Sequence, residues 1–247
     1  MLFLRDYLPF PSLSPQWNNI GCVLLAVLHV KLVIELANWL GRRGARKDAR
    51  MILHLALAST ISYWPLYDPS DWSWRLNAIV PLVLATRWIH KGLYVQDPDD
   101  EEVQILSRSS SPSELLFGPL QLCIVLVWLG LTQFMQEESA IVVAALGVGD
   151  GISPWIGTHY GRHVYRMPFS MPKTMEGSVC GVFLGTIGGT YTYLYLLDMP
   201  FLPLRIILAV SAIAAVVEGT TPANMDNLMM PLILHLSIDR VKMWLPA

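Results

Sequence analysis

An all-α, polytopic integral membrane bundle of about seven or eight transmembrane helices is the fold class the sequence predicts, on three observations. Hydrophobic residues make up 53% of the 247-residue chain and charged residues only 15%, where a soluble domain carries about a quarter. Apolar runs near the ~20 residues needed to cross a bilayer recur along the chain. Lysine and arginine gather in alternate connections, as expected of segments that cross back and forth.

Residues 1–17 (MLFLRDYLPFPSLSPQW) lack the basic start, long apolar run and small-residue cleavage site of a secretory signal. They read as a short interfacial segment with Trp17 at the membrane boundary. Residues 18–247 then form a single membrane domain. Its spans are expected near 18–40, 51–67, 75–95, 115–135, 139–157, 177–197, 201–220 and, marginally long, 227–240. Helices are the expected form, because in lipid the backbone must be satisfied within each segment. The loop 41–50 carries Arg42, Arg43, Arg46, Lys47 and Arg50, which puts it on the cytoplasmic side. Alternation places Arg108, Arg162, Arg166 and Lys173 on that side as well, and Asp68, Asp71, Glu137, Glu138 and Asp198 on the other. Only Arg240 and Lys242 fit the alternation poorly.

A net charge of −2 gives no reason to expect nucleic acid as a partner. Cys22, Cys123 and Cys180 lie scattered in apolar runs and read as small buried hydrophobes. His159 and His163 are one helical turn apart without a visible third ligand, so zinc is not expected. The acidic run from Asp97 to Glu102 reads as a solvated loop.

The segment Gly147–Ser178 (GVGDGISPWIGTHYGRHVYRMPFSMPKTMEGS) concentrates the chemistry. Asp150 is an ionisable residue inside an apolar run, which is costly and points to function. As a carboxylate it suits Mg²⁺. Gly149 and Gly151 would let backbone approach a phosphate, or with Gly147 serve close helix packing. Lys173 suits phosphate as a point charge, with Thr174 beside it. Glu176 is either a helix-start residue or a metal neighbour. Glu218, Asp226 and Asn227 open a second acidic cluster, with a helix cap as the plainer reading of the last two. Arg50 and His54 share a helix face, Arg87 lies near the end of the third span, and Arg108 and Glu114 flank the fourth.

Taken in order, these residues resemble the polyprenol kinase family, membrane-embedded CTP-using lipid-alcohol kinases, and most of all its phytol and farnesol kinase branch. The resemblance runs from about residue 46 to the C-terminus. It includes Arg50 and His54, SYWPLYD, VPLVLATRWIHKGL, SRSSSPSELLFGPL, GVGDG, KTMEGS and VVEGTT…MDNLMMPL. KTMEGS is closer to the dolichol kinase form. Where the phytol branch reads a hydrophobic residue then Ala-Asp after GDG, this chain reads Ile152-Ser153-Pro154, one carboxylate fewer.

The resemblance implies transfer of phosphate from CTP, with Mg²⁺, to an isoprenoid alcohol such as phytol, farnesol, geranylgeraniol or a longer polyprenol. Asp150, Lys173 and His54 would be the catalytic residues. Asp150, Glu218 and Asp226 would be the metal set. Arg50, Arg87, Arg108, Gly149, Gly151, Lys173 and Thr174 would contact phosphate, with Glu114, Glu176 and Asn227 nearby. The implied partners are the bilayer, the lipid alcohol and the nucleotide. The expected location is the endoplasmic reticulum or a plastid membrane, with the polar site facing the cytoplasm. A transporter, a diacylglycerol kinase and a nucleotide-binding member without turnover are the alternatives.

Overall fold

The computed structural model describes residues 14–168, 170–222 and 224–245. Most of the expected interfacial segment, residues 1–13, lies outside them. The fold is all-helical apart from one two-stranded hairpin.

Helix α1 (Pro15–Arg42) starts with proline in its first turn, where no amide partner is lost. Its stripe of Leu24, Leu28, Leu32 and Leu36 is exposed, while the small residues Cys22, Ala26 and Ala37 face the bundle. That is the arrangement of a helix packing in lipid, with small residues inward and large apolar ones outward. α2 (Arg46–Ala58) returns and tightens into a 3₁₀ stretch at Ser59–Leu66, where Pro65 removes a backbone donor. α3 (Ile79–His90), a short α4 (Glu101–Leu106) and α5 (Gly118–Thr132) follow.

α6 (Glu137–Val143) runs through a π-helical stretch, Ala144–Asp150, into α7 (Gly151–Tyr160). The hairpin β1 (Val164–Tyr165) and β2 (Lys173–Thr174) pairs Val164 with Thr174 and Tyr165 with Lys173. A second π stretch, Gly177–Phe183, leads into α8 (Leu184–Leu196), then α9 (Leu204–Thr220) and α10 (Asp226–Trp244).

Helical segments therefore occupy all eight expected positions. Among the described residues four helices are long and apolar enough to cross a membrane: Pro15–Arg42, Pro112–Thr132, Glu137–Tyr160 and Gly177–Leu196. α9 has 17 residues, at the short end of what a bilayer asks. α10 carries Asp239, Arg240 and Lys242 in its last turns but buries Met230, Leu234 and Ile238 completely.

Several expectations change. Cys22 and Cys123 are buried, but Cys180 is exposed on the bundle's outer surface. Of the two ill-fitting cations, Lys242 has a physical reason, lying 2.6 Å from Glu137, and earlier in α10 His235 lies 3.2 Å from Glu138. The acidic run is a solvated loop only in its first half, where Asp97 and Asp99 are exposed. Asp100 caps α4 through the Glu102 and Val103 amides, and Glu102 is only 5% exposed.

α2 and the first π stretch pack tightly beside the site. A methyl group added to Gly147 would come 2.1 Å from Ala58 Cβ, so no side chain fits between them. Replacing Gly147 by alanine should force them apart. We expect a loss of roughly 1–3 kcal/mol, read as a lower melting temperature of the detergent-purified protein.

Candidate functional site

Six helices, the segments joining them and the hairpin meet around one cavity of about 680 Å³. α2 contributes Arg50 and His54, the segment before α5 contributes Arg108 and Glu114, and the π-to-α7 junction contributes Asp150 and Gly151. The hairpin adds Lys173 and Thr174, and Glu218, Asp226 and Asn227 complete the wall from α9 and α10. Residues that are more than a hundred positions apart in sequence are brought together here.

Asp150 is inside the continuous helix Glu137–Tyr160, about 15 Å from that helix's end at 1.5 Å per residue. No side chain or amide among the described residues hydrogen-bonds its carboxylate. It is within electrostatic reach of Asp226, Glu218, Lys173 and Arg108. The Arg50 guanidinium lies in the field of Arg108, Glu114 and Asp150. Among the described residues neither Arg50 nor Arg108 forms a salt bridge. Two unpaired guanidinium groups beside one cavity make a site for a polyanion.

Lys173 is held firmly. Its Nζ donates to Glu218 Oε1 at 2.5 Å and to the Glu218 carbonyl, and Asp226 Oδ2 lies 3.8 Å away. Glu218 also accepts from Ser178 Oγ at 3.3 Å, and Ser178 Oγ is 2.6 Å from the Tyr165 hydroxyl. Glu218 is thus the counter-ion of Lys173, and of the three carboxylates Asp150 and Asp226 remain for a cation. Tyr165 and Ser178 escaped the sequence reading. Only the hairpin register, with Tyr165 opposite Lys173, exposes their role.

His54 donates Nε2–H to the Leu146 carbonyl at 2.9 Å. A carbonyl only accepts, so in the neutral ring Nδ1 is the basic atom. A Cβ on Gly151 would meet this ring at 2.9 Å. The ring and the π stretch therefore fix each other.

Two assignments from the sequence, phosphate contact by the 149–151 backbone and by Arg87, do not survive the geometry. Gly149, Asp150 and Gly151 are helical, with Asp150 at φ −67°, so their amides are engaged in the helix and cannot cradle a phosphate. Gly149 packs against α8, where a Cβ would meet Thr186 Oγ1 at 2.8 Å. Arg87 lies outside this cavity and pairs with Glu102 at 2.6 Å. Thr174 lines the cavity, and its Oγ1 accepts from the Gly177 amide at 3.1 Å while keeping its own proton to donate. Glu176 stands at the start of the second π stretch, the plainer of its two readings, and faces the loop, where His163 Nδ1 lies 2.7 Å from Oε1.

Comparison with known proteins adds a family likeness. Part of the chain is similar to phytol kinases. It is 34% identical over 114 residues to "Probable phytol kinase 1, chloroplastic" of Oryza sativa subsp. japonica, covering 45% of this chain and 36% of that protein. It is 28% identical over 153 residues to the rice "Probable phytol kinase 2, chloroplastic", covering 60% and 49%. The soybean "Probable phytol kinase 1, chloroplastic" is 31% identical over 98 residues, covering 39% and 32%. The chain thus matches about half or less of the length of these relatives. No family model matches the chain, and no solved structure does. The likeness supports a place in the polyprenol and phytol kinase family without deciding between its branches.

The Glu176 carboxyl is lowered to about 2, first by the His163 hydrogen bond and then by backbone donors. A lowered carboxyl stabilises the fold above its ordinary value of 4.5, and this support is lost as pH falls toward 2. After correction for intrinsic rates, hydrogen exchange of the 161–176 amides should therefore accelerate below pH 4.5. Glu176→Gln should remove that pH dependence.

Proposed function

We propose that the protein is a membrane lipid-alcohol kinase. It transfers the γ-phosphoryl group of a nucleoside triphosphate, CTP by the resemblance, to the hydroxyl of an isoprenoid alcohol of the phytol or farnesol type. One observation carries the reading: two carboxylates without a tight partner, two unpaired arginines and a fixed lysine surround a single cavity of about 680 Å³. A polar triphosphate needs this mixture of charges, and a purely structural bundle does not. The names of the relatives support the acceptor class, and they point to a plastid membrane more than to the endoplasmic reticulum.

The donor set suits Mg²⁺. This ion is usually held by one or two carboxylates, with phosphate oxygens and water completing its shell. Asp150 and Asp226 are the residues that would hold it, and no group of three acidic, His or Cys side chains among the described residues forms a closed metal cage. When bound, the ion would neutralise charge on the transferring phosphate. Pro154, where the phytol branch carries a further carboxylate, also lines the cavity.

The protein's own residues have distinct parts. Arg50 and Arg108 bind and orient phosphate oxygens. Lys173, immobilised by Glu218, supplies a fixed positive charge. The acceptor oxygen attacks the γ-phosphorus as the bond to the β–γ bridging oxygen breaks, and the nucleoside diphosphate departs with that electron pair. His54 Nδ1 is the atom suited to take the acceptor's proton. Positioning and charge neutralisation do most of the work in such transfers.

The purified protein with Mg²⁺ and radiolabelled CTP should phosphorylate phytol, farnesol or geranylgeraniol. Asp150→Asn should lower transfer by more than about 100-fold, as loss of a group that manages developing charge does. Arg108→Ala should raise the nucleotide KM about tenfold, in line with one charge-assisted contact. Undiminished transfer by a correctly inserted Asp150→Asn protein would overturn the assignment.

A further inference from the structure

One wall of the polar cavity carries chemistry that phosphate binding does not use. α2 gives this wall Lys47, Arg50, Met51 and His54. α7 gives it Gly151, Pro154, Trp155 and Thr158. Both sets repeat at three and four residues, so each lies on one helix face. Two contacts show that the helices run antiparallel here. A Cβ on Gly151 would meet the His54 ring at 2.9 Å, and Trp155 Nε1 donates to Asp48 Oδ1 at 2.7 Å. The first contact is at the inner end, next to Asp150. The second lies about 9 Å farther out, six residues along α2 at 1.5 Å each. Arg50 stands between them on α2.

The Trp155 indole is held from three directions. Asp48 fixes its N–H edge. The His159 ring lies over it, with centroids 4.5 Å apart and planes at 34°, and Tyr160 meets it edge-on at 5.9 Å. His159 is itself tied down, its Nδ1 lying 2.9 Å from the Trp155 carbonyl. None of these three neighbours lines the cavity. The ring surface that Trp155 gives to the cavity is therefore another one, and it is oriented before any ligand arrives. A tryptophan in a membrane-boundary belt turns its N–H to the wet side. This one turns it to a carboxylate on the neighbouring helix, which holds the plane still.

We infer that the cavity-side face of Trp155 is the stacking platform for the base of the bound nucleotide. This rests on the nucleotide reading of the cavity and adds the place of the base to it. A nucleoside triphosphate presents its parts in a fixed order: reacting phosphate, inner phosphates, ribose, base. The wall offers its groups in that order going outward, with Asp150 and His54 first, Arg50 next and Trp155 last. The isoprenoid acceptor does not suit the outer position. It arrives from lipid, whereas α7 leads outward into the polar residues 158–163 (THYGRH). Lys47 stands at the same level and forms no salt bridge among the described residues, so the mouth attracts an anion. Stacking is indifferent to the base presented, since every base has a π-face. Trp155 therefore sets affinity for the nucleoside and leaves the choice among bases to groups that meet the base edge.

The test measures binding of two radiolabelled probes, CTP and inorganic tripolyphosphate, to the full chain in lipid nanodiscs with Mg²⁺. Tripolyphosphate has the charge of the nucleotide tail and no base. Trp155→Leu and Trp155→Phe both lose the N–H bond to Asp48, and only the second keeps a π-face. Trp155→Leu should weaken CTP about tenfold, the worth of one base–aromatic stack. UTP and ATP should lose affinity by the same factor. Trp155→Phe should stay close to the parent protein for CTP, and both variants should bind tripolyphosphate as the parent does. Equal CTP affinity in the two variants would overturn the proposal. So would a parallel loss of tripolyphosphate, because Trp155 would then serve only to hold α7 on α2. Either result, with phosphoryl transfer intact in the parent, leaves the kinase reading standing. Base-dependent binding through Trp155 in a protein that phosphorylates no alcohol would keep the platform and remove the kinase reading.

Discussion

Lys173 and Glu218 meet with side chains only 15% and 5% exposed. A charge so far from water must have its partner in place, since removing either member strands the other at a cost of about 3–5 kcal/mol. The pair joins the hairpin to the end of α9. Through Ser178 it reaches the start of the second π stretch, and through Asp226 it touches the start of α10. Three chain reversals are thereby fixed by one ion pair and the hydroxyls around it. The polar cavity has walls because these reversals cannot drift independently.

The opposite end of the bundle is held differently. Asn19 is fully buried and bridges α1 to the following turn through the Asp68 backbone and Ser73 Oγ at 2.8 Å. Asn77 Nδ2 donates to the Gly130 carbonyl at 3.0 Å. Phe134 stacks between Trp74 and Trp64, with ring centroids at 4.7 and 5.2 Å. This end is a closed seal of amides and aromatic rings. The other is an open basin of charge. The asymmetry gives the bundle one polar end.

Much of this was legible in the sequence, because lipid leaves few choices. Hydropathy placed the eight helical segments, and the scarcity of charge made Asp150, Lys173, Glu218 and Asp226 conspicuous. Pairing was not legible. Nothing in the spacing said that Glu218 would neutralise Lys173, that Arg87 would turn to Glu102, or that Glu102 would be buried. Those outcomes depend on how distant helices rotate against one another. The GDG triplet allowed either phosphate approach or close helix packing, and the tight fit of Gly147 on Ala58 and of Gly149 on Thr186 selects packing. The two-residue strands carrying Tyr165 and Lys173 are too short for alternation to reveal.

The π stretch at Ala144–Asp150 gives the acid a rotational address. A π turn spends one more residue per turn than the α-helices on either side. If the same residues wound as ordinary α-helix, they would complete more of a turn. Everything beyond them would then swing by about 100° around the helix axis, the angle of one residue at 3.6 per turn. Asp150 would leave the cavity while α6 and α8 kept their places. Its position is therefore set by the winding of this stretch as much as by any contact. That makes the pitch of seven residues as tightly constrained as the identity of the acid they carry.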